Sequence, residues 1–128
     1  MQTAGTAPPG AGLHRESLAE YTVIAITGDL DIATTPYLRE RLNAALRDTG
    51  PLVLIDLSGV TFCDASGLAL LVGAHRRTKP AGTAVALVAP RPQLERLLHV
   101  TGLARIFVVL PSMAAARVRG TGVRSAAA

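Results

Sequence analysis

Tryptophan is absent from this chain, aromatic residues make up 3% of it, and cysteine and lysine each occur once, as Cys63 and Lys79. With so few rings, a core must be built from Leu, Val, Ile and Ala, which suits layers of sheet and helix. The same scarcity removes the stacking platforms used to hold single-stranded nucleic acid. One cysteine excludes an internal disulfide and any CxxC metal or redox site. His14, His75 and His99 form neither HxxxH nor HExxH, so no metal site is expected. No apolar run approaches the roughly 18 residues of a membrane span, and the basic and apolar regions of a signal peptide are missing. The expectation is a soluble cytoplasmic protein with no membrane span.

What is present is sufficient for one packed domain: 128 residues, 49% of them hydrophobic. The formal net charge is +4, and its distribution is uneven. Eight of the nine acidic residues fall in residues 1–64, and nine of the thirteen basic residues fall in 65–128. The densest basic group, Arg76-Arg77-x-Lys79, sits at a predicted helix C-terminus, where cations complement the helix dipole. It is read as a helix ending, and no direct nucleic-acid partner is expected.

Residues 1–12 (MQTAGTAPPGAG) are small, uncharged and rich in Gly, Pro and Thr, and residues 120–128 are similar in kind. Both are read as disordered, a leader and a tail around a folded unit at 13–119. Within that unit, Tyr21–Thr27 is a β-branched run stopped by Gly28-Asp29, and a weaker extended segment at 13–17 makes a hairpin with it. Thr34-Thr35-Pro36 then supplies a hydroxyl cap and a first-turn proline for a helix carrying Leu38, Leu42, Ala45 and Leu46. Leu52–Leu57 is a nearly continuous apolar run, the pattern of a strand covered on both faces, broken at Ser58-Gly59. A second helix from Ser66 to about Lys79 ends at Pro80-x-Gly82, and a strand follows at Ala84–Val88. A third helix opens at Pro90-Arg91-Pro92 and stops at Gly102. The last strand is Ile106–Leu110, followed by an Ala-rich helix from Ser112. The order ββαβαβαβα predicts an α/β fold, a mixed and largely parallel sheet of about five strands with about four helices.

Function in such sheets gathers where strands end and helices begin, and one junction here is polar. After Val60-Thr61-Phe62-Cys63 comes Asp64-Ala65-Ser66-Gly67-Leu68, which presents a serine at a helix start. Taken alone, Ser66 reads as an ordinary N-cap. Three segments change that reading: Gly28-Asp29-Leu30-Asp31, Ile55-Asp56-Leu57-Ser58-Gly59-Val60, and Phe62-Cys63-Asp64-Ala65-Ser66-Gly67-Leu68. In this order and spacing the chain resembles the STAS family, named for sulphate transporters and anti-sigma factor antagonists, over about residues 13–119. The antagonist branch has a D-[SA]-S-G-L motif, matched here with Ala65 where many relatives carry a second serine.

The resemblance implies an anti-sigma factor antagonist. Its Ser66 would be phosphorylated by an anti-sigma factor serine kinase of the histidine-kinase-like ATPase fold and restored by a serine phosphatase. The unphosphorylated form would bind the kinase and free a sigma factor, using Asp31, Asp64, Ala65, Ser66, Gly67 and Leu68. For Asp31 and Asp64 two roles stay open, an acidic rim beside Ser66 or local capping of their own turns. Thr34 and Thr35 are read as helix caps and Cys63 as packing. The alternative within the same resemblance is a stand-alone scaffold subunit of a lipid-transport or other transporter complex.

No catalytic residue or cofactor is expected. G-x-S-x-G is absent, and His75 lies nine residues along the helix from Ser66, about 13 Å at 1.5 Å per residue. No phosphate-binding G-x-x-x-x-G-K-[ST] occurs, and the lone Lys79 sits at the wrong end of its helix to serve one.

Overall fold

A computed structural model describes residues 10–117. The order is β1 (Ala11–Ser17), β2 (Thr22–Leu30), α1 (Thr35–Ala45), β3 (Leu52–Cys63), α2 (Ala65–Thr78), β4 (Ala84–Val88), α3 (Pro92–Val100) and β5 (Val108–Leu110). Single 3-10 turns occupy Lys79–Ala81 and Leu103–Arg105, and residues 113–117 are helical, here called α4. The strands lie side by side in chain order. β1 pairs antiparallel with β2, and every later pair is parallel. A parallel neighbour cannot be reached by a tight turn, so a helix separates each of those pairs.

The burial pattern explains the apolar run in β3. Val53, Ile55 and Leu57 point to one face and pack with Ile24 and Ile26 of β2 beneath Leu38 and Leu42 of α1, Leu71 of α2, and Leu94 and Leu98 of α3. Leu52 and Leu54 point to the other face and join Val23, Ala86, Val88 and Leu110 beneath Ala116 of α4. A strand buried on both sides has no polar face to alternate with. Three helices therefore cover one face of the sheet, and one short helix covers part of the other.

Several boundaries differ from the sequence expectation. β2 does not stop at Gly28-Asp29 but continues to Leu30 through register shifts against β3 on both sides of Gly28. Gly28 has φ +90°, and a Cβ there would lie 1.2 Å from the Gly10 carbonyl oxygen, so the glycine admits a bulge under the start of β1. β3 likewise runs past Ser58-Gly59 to Cys63, pairing Gly59 with Thr27 and Cys63 with Leu30. β4 is last paired at Asp56, so the far half of β3 has a strand on one side only. The last strand starts at Val108 rather than Ile106. Phe107 is buried, its ring meeting His75 edge-on at 5.4 Å, and the 3-10 turn before it takes up the chain.

The hydroxyl of Thr34 is not a cap. It donates to the Asp29 carbonyl at 2.6 Å and accepts from the Asp31 amide at 3.0 Å, tying the exit of β2 to the entry of α1. At the N-terminus, β1 takes in Ala11 and Gly12, which the sequence placed in the leader. The rest of the expected leader, 1–9, and the expected tail, 120–128, lie outside the described residues.

One internal glycine has no such reason to be there. Gly73 lies inside α2, exposed, and a Cβ built on it meets nothing within 4 Å. Glycine costs a helix interior roughly 1 kcal/mol relative to alanine. Gly73→Ala is therefore expected to raise the stability of the domain by about 1 kcal/mol in urea unfolding, with an unchanged m-value.

Candidate functional site

β3 passes into α2 through a single residue. Asp64 is extended (φ −114°, ψ −168°) and caps the helix, its Oδ1 accepting from the amides of Ser66 at 2.9 Å and Gly67 at 3.3 Å. These are two of the four amides that a helix start leaves without internal partners. The same oxygen accepts the Ser66 hydroxyl at 2.5 Å. The helix thus starts one residue earlier than expected, and Ser66 stands in its first turn with Asp64 in the cap position. The Asp64 amide also donates to the Leu30 carbonyl at 3.0 Å, at the end of β2.

Those bonds hold the Asp64 carboxyl below its ordinary range. The Ser66 hydroxyl is the largest cause, desolvation opposes it, and the amides of Gly67, Ser66 and Ile32 add to the lowering. A carboxyl whose pKa is depressed by folding stabilises the fold above its unfolded value, and that contribution is lost as pH falls through the folded value. The melting temperatures of wild type and Asp64→Asn are therefore expected to differ at neutral pH. They should converge on acidification below about pH 4, the region of an unperturbed aspartate. Thermal unfolding followed across that range by circular dichroism measures the convergence.

Gly67 seats the helix. A Cβ there would lie 2.6 Å from Leu30 Cβ, 2.7 Å from Leu30 O and 2.7 Å from Cys63 Sγ, so the first turn of α2 rests directly on the end of β2. Leu68 is 7% exposed and belongs to the core. Both residues, expected from the sequence to face a partner, are buried in the structure and support Ser66 from below. Ala65 is exposed, and Asp31, Asp64 and Ser66 are half-buried. The Oδ1 of Asp31 accepts from Ala33 and Thr34, both at 3.0 Å, and so shapes its own turn beside the serine. Cys63 is fully buried, and desolvation together with the Asp64 charge pushes its thiol up to about 12. That environment suppresses thiolate chemistry, in keeping with a packing role.

Three features here escape sequence reasoning. Ile32, in the turn after β2, is 79% exposed and Phe62, near the end of β3, is 45% exposed, which puts apolar surface on both segments that meet at Asp64. Gln93 of α3 accepts from the Cys63 amide at 3.0 Å and donates to its carbonyl at 2.9 Å. Nearby, Arg91 Nε donates to the Ser58 carbonyl at 2.7 Å. Side chains from the start of α3 thus take over the free edge of β3 where β4 has ended. No local signal marks Gln93, because its partner lies 30 residues away. Among the described residues, no cluster of His, Cys, Asp and Glu is arranged to hold a metal ion, and no helix is long and apolar enough to cross a membrane.

Comparison with known proteins bears on what this junction does. The STAS domain family profile matches residues 14–116. An anti-sigma-B factor antagonist of Bacillus subtilis is 34% identical over 80 residues, 62% of this chain and 72% of that protein. An anti-sigma-B factor antagonist of Listeria monocytogenes is 28% identical over 95 residues, 74% and 83% of the two chains. Among solved structures, an anti-sigma factor antagonist from Mycobacterium paratuberculosis superposes with a TM-score of 0.80 at 27% identity, covering 90% of this chain and 98% of that one.

Proposed function

The chain belongs to the STAS domain family, and from that membership we propose that it is an anti-sigma factor antagonist switched at Ser66. Unphosphorylated, it binds an anti-sigma factor serine kinase of the histidine-kinase-like ATPase fold and so releases a sigma factor. The kinase transfers the γ-phosphoryl group of ATP to Ser66 Oγ, the hydroxyl proton leaves, and ADP is the other product. A serine phosphatase returns the hydroxyl. The observation that carries this reading is the placement of Ser66: a half-buried hydroxyl in the first turn of α2, beside exposed Ala65, on a surface bordered by exposed Ile32 and Phe62.

Phosphorylation adds about −1.5 to −2 charges at neutral pH and three acceptor oxygens. The first turn of a helix favours an anion through its free amides and its dipole. Here, however, the Ser66 and Gly67 amides already serve Asp64. The phosphate therefore projects outward, away from the carboxylate, and changes the surface rather than the fold. Asp31 and Asp64 belong to that surface as its acidic neighbours.

The test is a pull-down from native extract with wild-type and Ser66→Asp proteins as parallel baits and mass spectrometry of the captured partners. A small ATPase-fold kinase held by the wild type and lost from Ser66→Asp is the expected result. A transporter ATPase or permease held equally by both baits would replace this reading with that of a transporter scaffold.

A further inference from the structure

Away from Ser66, a groove of about 210 Å3 lies between α1 and α2, lined by Arg39 and Asn43 on one side and by Ala69, Leu70, Gly73, Ala74 and Arg77 on the other. Its chemistry is one-sided. The lining holds two guanidiniums and no carboxylate, and neither Arg39 nor Arg77 has a carboxylate partner among the described residues. Its floor is shallow because Ala65, Ala69 and Gly73 follow one another at four-residue spacing along one exposed stripe of α2. Gly73 gives that floor its second, independent peculiarity. The position weakens its helix, and no atom of the chain comes within reach of a Cβ there, so nothing inside the domain calls for glycine.

We propose that this groove docks an acidic helix of a partner protein, whose carboxylates meet Arg39 and Arg77 while its backbone lies close over Gly73. The occupant is a helix because the walls are helical and spend their own backbone groups internally. An extended segment laid here would leave its amides and carbonyls unpaired, whereas a helix brings its hydrogen bonds with it. The occupant is a protein surface rather than a small anion because the floor between the two arginines is alanine, glycine and leucine. That floor suits apolar Cβ contact, and a small anion held by the two guanidiniums alone would leave it uncovered. It is acidic because a cationic or neutral helix would leave both guanidiniums facing uncompensated. The inference does not depend on the chemistry of Ser66 and holds whatever partner that residue governs.

The test uses the full chain, 15N-labelled, titrated with a synthetic alanine-rich helix of about 18 residues bearing glutamates at four-residue spacing on one face. A second peptide with lysines in their place serves as control. The glutamate peptide is expected to shift the amides of Ala69 and Gly73 and the side-chain Nε signals of Arg39 and Arg77, and the lysine peptide to shift none. Affinity is expected to weaken several-fold as salt is raised from about 0.05 to 0.3 M. Joint Arg39→Glu and Arg77→Glu substitution is expected to lower affinity about tenfold or more, and so is Gly73→Leu, which fills the floor and leaves both charges in place. Unchanged far-UV circular dichroism shows that these variants fold, and Gly73→Ala provides a folded intermediate should the leucine variant fail. The proposal is overturned if the glutamate peptide shifts no groove residue, if the lysine peptide binds equally, or if Gly73→Leu binds as wild type does. Inorganic phosphate that reproduces the shifts and displaces the peptide would overturn it in favour of a simple anion site.

Discussion

On the proposed switch, protein phosphorylated at Ser66 is expected to bind an anti-sigma kinase about a thousandfold more weakly than unmodified protein, a change of roughly 4 kcal/mol. A loss of that size is what exchanging partners at micromolar concentrations requires. Burying a bare phosphate against a surface shaped for a hydroxyl, beside Asp64 and in the neighbourhood of Asp31, would supply it through charge repulsion and lost hydration of the phosphate. The mimic Ser66→Asp carries about half the charge. If the effect scales with charge, it should cost roughly 2 kcal/mol, or about thirtyfold. Ser66→Ala should keep full binding and accept no phosphate. Calorimetric titration of the captured kinase with the four proteins ranks them: wild type and Ser66→Ala together, Ser66→Asp intermediate, phosphoprotein last. Equal affinities for Ser66→Ala and the phosphoprotein would remove the switch from Ser66.

Gly67→Val is expected to destabilise the domain by about 3 kcal/mol, at the upper end of the usual cost of overpacking. Even one added carbon at this position falls 2.7 Å from the Leu30 carbonyl oxygen, a backbone atom held by the Asp64 amide, and 2.6 Å from Leu30 Cβ. Neither can swing aside as the end of a long side chain would, so the helix must lift. Lifting it draws the Ser66 and Gly67 amides away from Asp64 and pulls on the fully buried Cys63. Glycine to alanine at Gly73, six residues along the same helix, is expected to stabilise. Opposite signs at two glycines of one helix separate steric demand from intrinsic propensity. Urea unfolding of both variants reads the contrast directly, and a stable Gly67→Val would mean that α2 does not rest on Leu30 as described.

Other positions mark where sequence reading succeeds and where it stops. Periodicity locates α1, α2 and α3, and the apolar run of β4 falls at its observed bounds, because these signals are local and the core uses them directly. Ser66 is legible for a similar reason: its whole setting, Asp64 to Leu68, is contiguous. Gly28 and Gly59 mislead because one letter serves two purposes. A glycine that ends a strand and a glycine that lets a neighbouring backbone or side chain approach look alike until the neighbour is placed. For Gly28 that neighbour is Gly10, and for Gly59 it is Thr27, whose Cγ2 would lie 2.7 Å from an added Cβ. Thr34 is misread as a cap because its hydroxyl answers to Asp29, on the strand before it. Gln93 has no signal at all, since its value rests on the free edge that β4 leaves on β3.

The sheet's order also bears on how the molecule comes into being. Because spatial neighbours are successive in the chain, each strand can be laid against one already formed, with no gap to be filled later by a distant segment. Emerging from the ribosome, such a chain can extend its sheet edgewise from β1 towards β5 and keep loop-closure costs small. The turn bearing Ser66 then takes shape as soon as β3 and α2 have been synthesised, but its outer brace at Gln93 arrives some fifteen residues later. A nascent chain halted between α2 and α3 would hold the serine in a looser frame than the finished protein, and the site would become rigid only when α3 settles onto β3.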